Sequence, residues 1–212
     1  MREEFEPRLA TLKARAKAKG WLKPRFIYGY YPAQSDGNQI VVFDPADKTR
    51  ELARFDCPRQ PEGEHLCLAD YVAPLGSDRM DMIGLQVVTV GTEASEATER
   101  MNAEGRYSES YFMHGLAVQT AEALAEYAHR HIQAELGIPG QGKRYSWGYP
   151  AIPSLADHAK VFQVLPAEQL IGVGLTEAFQ LNPEASTAAI VLHHPACKYY
   201  AVRGAEGAVA VF

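Results

Sequence analysis

Runs of β-branched and aromatic residues predict strands near both ends of the chain. The segments RFIYGYY (25–31) and QIVVFD (39–44) have this composition, which favours β-strands. The turn-forming segment PAQSDGN between them contains Asp-Gly, so the two runs are predicted to form a β-hairpin or a loop-linked strand pair. The same pattern predicts strands at HLCLADYVAP, DMIGLQVVTVG, TAAIVLHHP, KYYAVRG and the final AVAVF.

The centre of the chain has apolar residues at helical spacing. The longest helix is predicted from Ser108 to Glu135, and its apolar stripe consists of Phe112, Leu116, Leu124, Ala128 and Ile132. Shorter helices are predicted after Thr92, after Ser154 and at PAEQLI. The basic segment before Pro24 is also helix-prone.

Antiparallel strands at the start and end, with helices between them, predict an α+β fold. We expect a central, mostly antiparallel twisted sheet with helices packed around it. At 212 residues the chain has the size of one domain. We divide it into an N-terminal helix or linker, residues 1–23, and one domain, residues 24–212.

Charge and cysteine content narrow the class of protein. A net charge of −5 and a pI near 5.8 argue against nucleic acid or an acidic membrane as the main partner. The three cysteines form no C-x-x-C pair, which favours a reducing compartment. The chain opens without a signal-peptide pattern, and no apolar run is long enough to span a bilayer. We therefore expect a cytoplasmic protein.

The segment KRYSWGYPAIP is the first candidate for ligand chemistry. Arg144 carries a planar fork of donors that matches a carboxylate or phosphate. Gly148 permits a positive φ or a close approach of a ligand, and the following proline restricts Tyr149 to extended geometry. A loop with these features can bind a small anion. Taken alone, the pattern is more typical of a surface arginine before a turn.

The long helix carries a carboxylate without a local partner. Glu122 and Glu126 are four residues apart and share a face. Arg130 is the i+4 partner of Glu126, whereas Glu122 has no basic residue three or four positions away. Glu122 therefore either faces solvent or balances a cation from elsewhere.

The segment KYYAV contains two adjacent tyrosines, Tyr199 and Tyr200. On a strand they would point to opposite faces, so one can pack while the other offers its hydroxyl to a ligand. Packing of both rings in the core or an interface is the alternative.

Other groups of residues give weaker evidence for a functional site. The histidine pairs 129/131 and 193/194 diverge on a helix and on a strand, so a metal site is not predicted. The sequence contains no G-x-S-x-G elbow, no phosphate-binding G-x-x-x-x-G-K and no strand-linked G-x-G-x-x-G.

Several segments, in order, resemble the activation domain of cobalamin-dependent methionine synthase. They span residues 20–203, and they are PRFIYGYYPAQSDGNQIVVF, HLCLADYVAP, AEALAEYAH, RYSWGYPAIP, GLTEAF and HHPACKYYAV. The resemblance implies that residues 24–212 form an S-adenosylmethionine-binding domain. It implies that Arg144 holds the carboxylate of this ligand and that Glu122 faces its sulfonium. It also implies ligand contacts by Gly148, Tyr149, Tyr199 and Tyr200.

The resemblance implies reductive reactivation as the function, and hence a component of a methyltransferase that is not active alone. Inactive cob(II)alamin would be converted to methylcobalamin with a methyl group from S-adenosylmethionine and an electron from flavodoxin or a similar donor. The cobalamin-binding motif D-x-H-x-x-G is absent from this sequence. A methionine synthase core would therefore hold the cobalamin, and this chain would be a freestanding subunit or an excised domain.

Two alternative functions are considered, because this sequence lacks a feature of the family. The family has an aspartate upstream of the first strands that contacts the amino group of the ligand, and no match for it is found here. A docking module that clamps a corrinoid protein without binding S-adenosylmethionine is therefore the alternative function. A role in the repair of another corrinoid methyltransferase also remains open.

Overall fold

A computed structural model describes residues 2–202 of the chain, with side chains from residue 6 onward. The strands are β1 (Arg25–Asp36), β2 (Gln39–Phe43), β3 (Glu51–Asp56), β4 (Asp81–Thr89), β5 (Lys143–Ser146), β6 (Gly174–Leu175), β7 (Leu181–Asn182) and β8 (Ser186–Leu192). The helices are α1 (Arg2–Lys19), α2 (Glu93–Ala103), α3 (Tyr107–Glu135), α4 (Asp157–Val164) and α5 (Ala167–Ile171).

Six of these strands form one antiparallel sheet in the order β3-β2-β1-β4-β8-β5. The predicted hairpin is confirmed: β1 and β2 are joined by a two-residue turn, with Asp36 opposite Gln39. Gly37 in this turn has a φ of +58°, which glycine adopts without strain. The predicted α+β class, with its antiparallel sheet, is confirmed.

Strand β4 is covered on both faces, which explains its nearly continuous apolar sequence. Ile83 and Leu85 enter the core on the side of α4 and α5. On the other side, Gln86 donates a hydrogen bond from Nε2 to the carbonyl oxygen of Ala125 in α3, at 3.2 Å. A Cβ at Gly84 would lie 3.2 Å from the Cβ of Val191 on β8. The missing side chain at Gly84 thus leaves room for Val191, and the nearest atom of α3, Cδ1 of Ile132, would lie 3.9 Å from such a Cβ.

Small residues of α3 make its contact with the sheet and with the neighbouring helices. The predicted length of this helix is confirmed, and Ala128 and Ile132 of the predicted stripe are buried. The larger residues Phe112, Leu116 and Leu124 lie at the flank and are only partly buried. The fully buried face also includes Met113, Ala117, Ala121 and Ala125.

Two predicted strands are wrong within the described residues. In HLCLADYVAP, Leu68–Tyr71 form a short 3-10 helix with three of its four residues buried. Residues 198–202 of KYYAVRG follow the turn at 195–196 but pair with no strand. The first segment is apolar because it packs against the core. In the second, Tyr200 packs there, whereas Lys198, Tyr199 and Ala201 are exposed. Neither composition reports backbone pairing. The predicted strand AVAVF lies outside the described residues.

Strand β3 was not predicted: three of its six residues are charged, and the adjacent pair Leu52-Ala53 interrupts the alternation that is typical of a half-buried strand. Glu51, Arg54 and Asp56 lie at the solvent-facing edge of the sheet, whereas Ala53 and Phe55 enter the core.

The N-terminal helix packs against the domain. Leu12 and Ala16 of α1 are buried with Met113 and Ala117 of α3. The boundary expected after residue 23 stays a prediction. Between residues 2 and 202, none of the helices combines the length and apolar content that a membrane span needs. The cytoplasmic location also stays a prediction.

Candidate functional site

Strand β5 forms one edge of the sheet and presents Arg144 toward α3. It pairs with β8, with Arg144 opposite Val191 and Tyr145 opposite Ile190. Side chains alternate along a strand, so Tyr145 enters the core on the α4 side while Arg144 faces the long helix. The sequence predicted that Arg144 would lie in a loop; it lies on this strand.

The residue before β5 must be glycine. Gly142 is buried, has a φ of +81°, and a Cβ there would run into the backbone of Leu192 and His193. Only glycine combines this φ with this close approach. Gly142 therefore fixes how β5 enters the sheet, two residues before Arg144.

Arg144 meets the carboxylate that had no local partner. Its Nη2 lies 3.2 Å from Oε2 of Glu122, and its Nε lies 4.0 Å from Oε2 of Glu126. The arginine side chain is 16% exposed, whereas Glu122 is 50% exposed. Arg130 also binds Glu126, at 2.8 Å. The two glutamates at i and i+4, which would repel each other on an isolated helix, are separated here by a cation from the sheet.

The guanidinium of Arg144 keeps donors for a ligand. Within residues 6–202 its one hydrogen bond goes to Glu122. Its Nε is shielded from solvent and has no hydrogen-bond partner there, so a ligand would reach the terminal nitrogens. A carboxylate that accepts two hydrogen bonds from these nitrogens is the best match for such a fork.

Tyr199 lies on the same side as Arg144. Partial desolvation raises the pKa of its hydroxyl, the positive charge of Arg144 opposes the rise, and the charges of Glu126 and Glu122 add to it. Its ring packs edge-on against Tyr145, with centroids 5.6 Å apart. The side chain remains 64% exposed and is open to a ligand.

Tyr200 turns the other way. Its ring packs against the core, and burial, followed by the nearby thiols of Cys67 and Cys57, raises the pKa of its hydroxyl above the ordinary range. That hydroxyl is buried without a hydrogen-bond partner in the described part of the chain. The two tyrosines thus point in opposite directions, as expected for an extended backbone.

Gly148 and Tyr149 form a turn just beyond β5. Gly148 has a φ of +88°, and a Cβ there would lie 2.9 Å from Cδ2 of Leu155. The turn is closed by hydrogen bonds from the amide of Gly148 to Ile152 O, 3.0 Å, and from the amide of Ile152 to Tyr149 O, 2.9 Å. Tyr149 is 60% exposed. Over the residues described, no hydrogen bond or ion pair joins this turn to the Arg144 side chain.

A groove of about 560 Å³ runs between α3 and the loop before β5. His129, which was weighed only as a metal ligand, lies beneath it and is 6% exposed. Desolvation lowers the pKa of His129; the charge of Glu126 opposes this, and that of Arg144 adds to it. The imidazole is therefore neutral near pH 7. The groove is lined by Glu126, His129, Arg130, Gln133, Pro139, Gly140, Gly142, Lys143 and Tyr199.

Two residues that bear on this site were not predicted from the sequence: Glu126 on the α3 face, and Tyr145 on the opposite face of the sheet. Glu126 was interpreted only as the partner of Arg130, although it shares the helix face of Glu122. Tyr145 gave no signal, because its contacts join residues more than 50 positions apart. Across residues 6–202, no three side chains of His, Cys, Asp or Glu converge on a point that could hold a metal ion.

Comparisons with known proteins identify relatives of this chain. Residues 5–207 match the family model described as the activation domain of vitamin B12-dependent methionine synthase. The chain is 38% identical to methionine synthase of Mycobacterium tuberculosis and 37% identical to that of Mycobacterium leprae. Each alignment covers 94% of this chain and 19% of the relative, so the chain spans about a fifth of their length.

A solved structure has the same fold. The crystal structure of the MetH reactivation domain bound to AdoHcy superposes with a TM-score of 0.86 at 28% identity, covering 94% of this chain and 67% of that one. The family resemblance read from the sequence motifs is confirmed. Because the family model spans nearly all of the chain, this protein belongs to the family of activation domains of vitamin B12-dependent methionine synthase.

Proposed function

We propose that this chain binds S-adenosylmethionine beside Arg144 and supports the reductive methylation of cob(II)alamin to methylcobalamin on a methionine synthase core. The observation that carries the proposal is the Arg144–Glu122 pair, with Tyr199 next to it, on an open face of the sheet. A structural neighbour of the same family is bound to AdoHcy. AdoHcy is the form of the ligand that remains after the methyl group has left.

The charges of the face match the charges of the ligand. S-adenosylmethionine carries a carboxylate, an ammonium group and a sulfonium. Arg144 is suited to the carboxylate, because it is held by the sheet and keeps its terminal donors. Glu122 and Glu126 are suited to the positive groups, and both remain about half exposed. In the complex, each charged group of the ligand would thus lie beside a protein group of opposite charge.

We propose different tasks for the remaining candidates from their positions. Tyr199 would contact the ligand, since it lies beside Arg144 and is exposed. Gly148 and Tyr149 would border the ligand at the end of β5, where the turn leaves backbone groups close to solvent. Tyr200 is proposed as a ligand contact from the family motif alone, because its ring packs into the core.

The residues of this chain would position the ligand and supply no general base. Arg144 and the glutamates would hold the amino-acid end and leave the methyl group pointing outward. When bound to the partner, cobalamin supplies the cobalt that receives this methyl group. The electron would come from flavodoxin or a similar donor. These partners stay proposals, because the chain spans only 19% of the methionine synthases it matches.

Isothermal titration of S-adenosylmethionine into the chain tests the proposal. Saturable 1:1 binding is the expected result. A second experiment asks whether the chain co-precipitates with a cobalamin-loaded methionine synthase core that lacks its own activation domain. Capture of the core without binding of S-adenosylmethionine would replace the proposal with the docking-module alternative. Failure of both experiments would reject both functions.

The role of Glu122 is tested by comparing two ligands in Glu122→Gln. S-adenosylmethionine carries the sulfonium, whereas S-adenosylhomocysteine has an uncharged thioether in its place. The variant is expected to weaken binding of the charged ligand by about two- to fivefold more than binding of the neutral one, as for a partly exposed ion pair. Any effect of the substitution on Arg144 changes both dissociation constants equally, so it does not change their ratio.

Glu168→Gln is the matched control for that ratio. Glu168 is an exposed carboxylate on α5, across the sheet from α3. Its substitution is expected to leave both dissociation constants unchanged. An unchanged ratio in Glu122→Gln would contradict the assignment of Glu122 to the sulfonium.

A further inference from the structure

The segment that carries Tyr199 is held in place by side chains. Residues 197–201 follow β8 in the chain and pair with no strand. The backbone of this segment accepts two side-chain hydrogen bonds: Tyr145 Oη donates to Lys198 O at 3.0 Å, and Gln60 Nε2 donates to Ala201 O at 2.7 Å. The ammonium group of Lys198 also lies 2.5 Å from Oε2 of Glu64.

These anchors differ in rigidity. Glu64 is 69% exposed and belongs to the polar loop after β3, so its ion pair contributes little to order. Gln60 lies in the same loop. Tyr145 is 5% exposed and lies on β5, where its backbone pairs with Ile190. A buried phenol on a paired strand is held rigidly. Its hydrogen bond therefore restrains the carbonyl group that accepts it.

Tyr145 also follows Arg144 directly in the chain. The same four-residue strand therefore carries the guanidinium on one face and the phenol that holds residue 198 on the other. The ring of Tyr145 supports the ring of Tyr199 as well, at 5.6 Å between centroids and 68° between planes. One residue thus ties the two proposed ligand contacts, Arg144 and Tyr199, to one piece of backbone.

We propose that Tyr145 is a positioning residue that fixes Tyr199 relative to Arg144 for binding of S-adenosylmethionine. This inference rests on the function proposed above. Tyr145 reaches the ligand only through Tyr199, because its own ring lies in the core on the other side of the sheet.

The test is the affinity of Tyr145→Phe, which removes the hydrogen bond to Lys198 O and keeps the ring. Binding of S-adenosylmethionine is expected to weaken about three- to tenfold, the effect of one neutral hydrogen bond. Tyr31→Phe is the matched control. Tyr31 is 9% exposed and donates an equivalent hydrogen bond to Val164 O at 3.1 Å, on the α4 side of the sheet. Both variants are expected to lose similar stability, and only Tyr145→Phe is expected to lose affinity.

A double-mutant cycle separates positioning from general loss of structure. In a Tyr199→Ala background, Tyr145→Phe is expected to have no further effect on affinity. Hydrogen–deuterium exchange of residues 197–202 should increase in Tyr145→Phe and stay unchanged in Tyr31→Phe.

The outcomes distinguish this inference from the proposed function. If the parent binds S-adenosylmethionine, loses it in Arg144→Ala and keeps full affinity in Tyr145→Phe, the role of Tyr145 is rejected and the function stands. An equal affinity loss with and without Tyr199 also rejects that role. A parent that binds no S-adenosylmethionine rejects the function, and with it the role of Tyr145 in binding.

Discussion

Replacing Arg144 with alanine is expected to weaken S-adenosylmethionine binding by about 30- to 150-fold, enough to remove the calorimetric signal at ordinary protein concentrations. The loss corresponds to about 2–3 kcal/mol, the usual contribution of a charged, bidentate hydrogen-bonded contact. Isothermal titration of the parent and the variant, at the same pH and salt concentration, measures it.

The structure gives two reasons to expect the high end of this range. The guanidinium of Arg144 is mostly buried, with its side chain 16% exposed, so water screens its charge less than it screens a surface arginine. Removal of this cation also leaves Glu122 and Glu126 facing the carboxylate of the ligand without a positive charge between them. The variant would therefore lose an attraction and gain a repulsion.

Arg130→Ala is the control for the Arg144 experiment. Arg130 also pairs with Glu126, at 2.8 Å, but its side chain is 75% exposed. The control removes a positive charge from the same helix face without removing the proposed carboxylate contact. It is expected to change the affinity less than about threefold. Equal losses in the two variants would indicate a nonspecific charge effect, and full affinity in Arg144→Ala would reject the assignment.

Gly142→Ala is expected to lower the free energy of unfolding by about 3 kcal/mol or more. Two costs add at this position. A φ of +81° is unfavourable for any residue with a side chain, and the new Cβ would run into the backbone of Leu192 and His193. Backbone cannot move aside as a flexible side chain can, so β5 would have to shift away from β8. Urea unfolding, followed by circular dichroism, measures the change.

Gly140→Ala provides a close control from the same loop. Gly140 has a similar φ of +79°, but a Cβ there would meet no atom within 4 Å. Its substitution is expected to cost about 1 kcal/mol, the conformational penalty alone. The difference between the two variants isolates the clash at Gly142. Equal costs would show that β5 adapts to a side chain at position 142.

Several features of this protein could be predicted from the sequence because they depend on local geometry. The helix that begins near residue 108 and ends at Glu135 follows from its 3.6-residue period. The β1–β2 hairpin was indicated by the turn-forming residues between its strands, although Asp36 ends β1 and the two turn residues are Gly37 and Asn38. The opposite directions of Tyr199 and Tyr200 follow from an extended backbone, which places neighbouring side chains on opposite sides whether or not the segment joins a sheet.

Local sequence patterns failed to predict strands correctly where the composition of a segment does not match its backbone pairing. The apolar segment around Leu68 packs into the core as a 3-10 helix, and residues 198–202 pair with no strand. Strand β3 pairs with β2 although half of its residues are charged. In each case strand pairing depends on which backbone lies alongside, and the composition of the segment does not report it.

The candidate site shows the same division. The sequence alone determined that Glu122 lacks a partner on its own helix and that Arg144 carries a fork of donors, because both statements concern residue type and helical spacing. Only the tertiary structure decided that the two meet, since they are 22 residues apart and their contact requires β5 to pair with β8 beneath α3. The order of strands in a sheet depends on long-range packing, and no local pattern contains it.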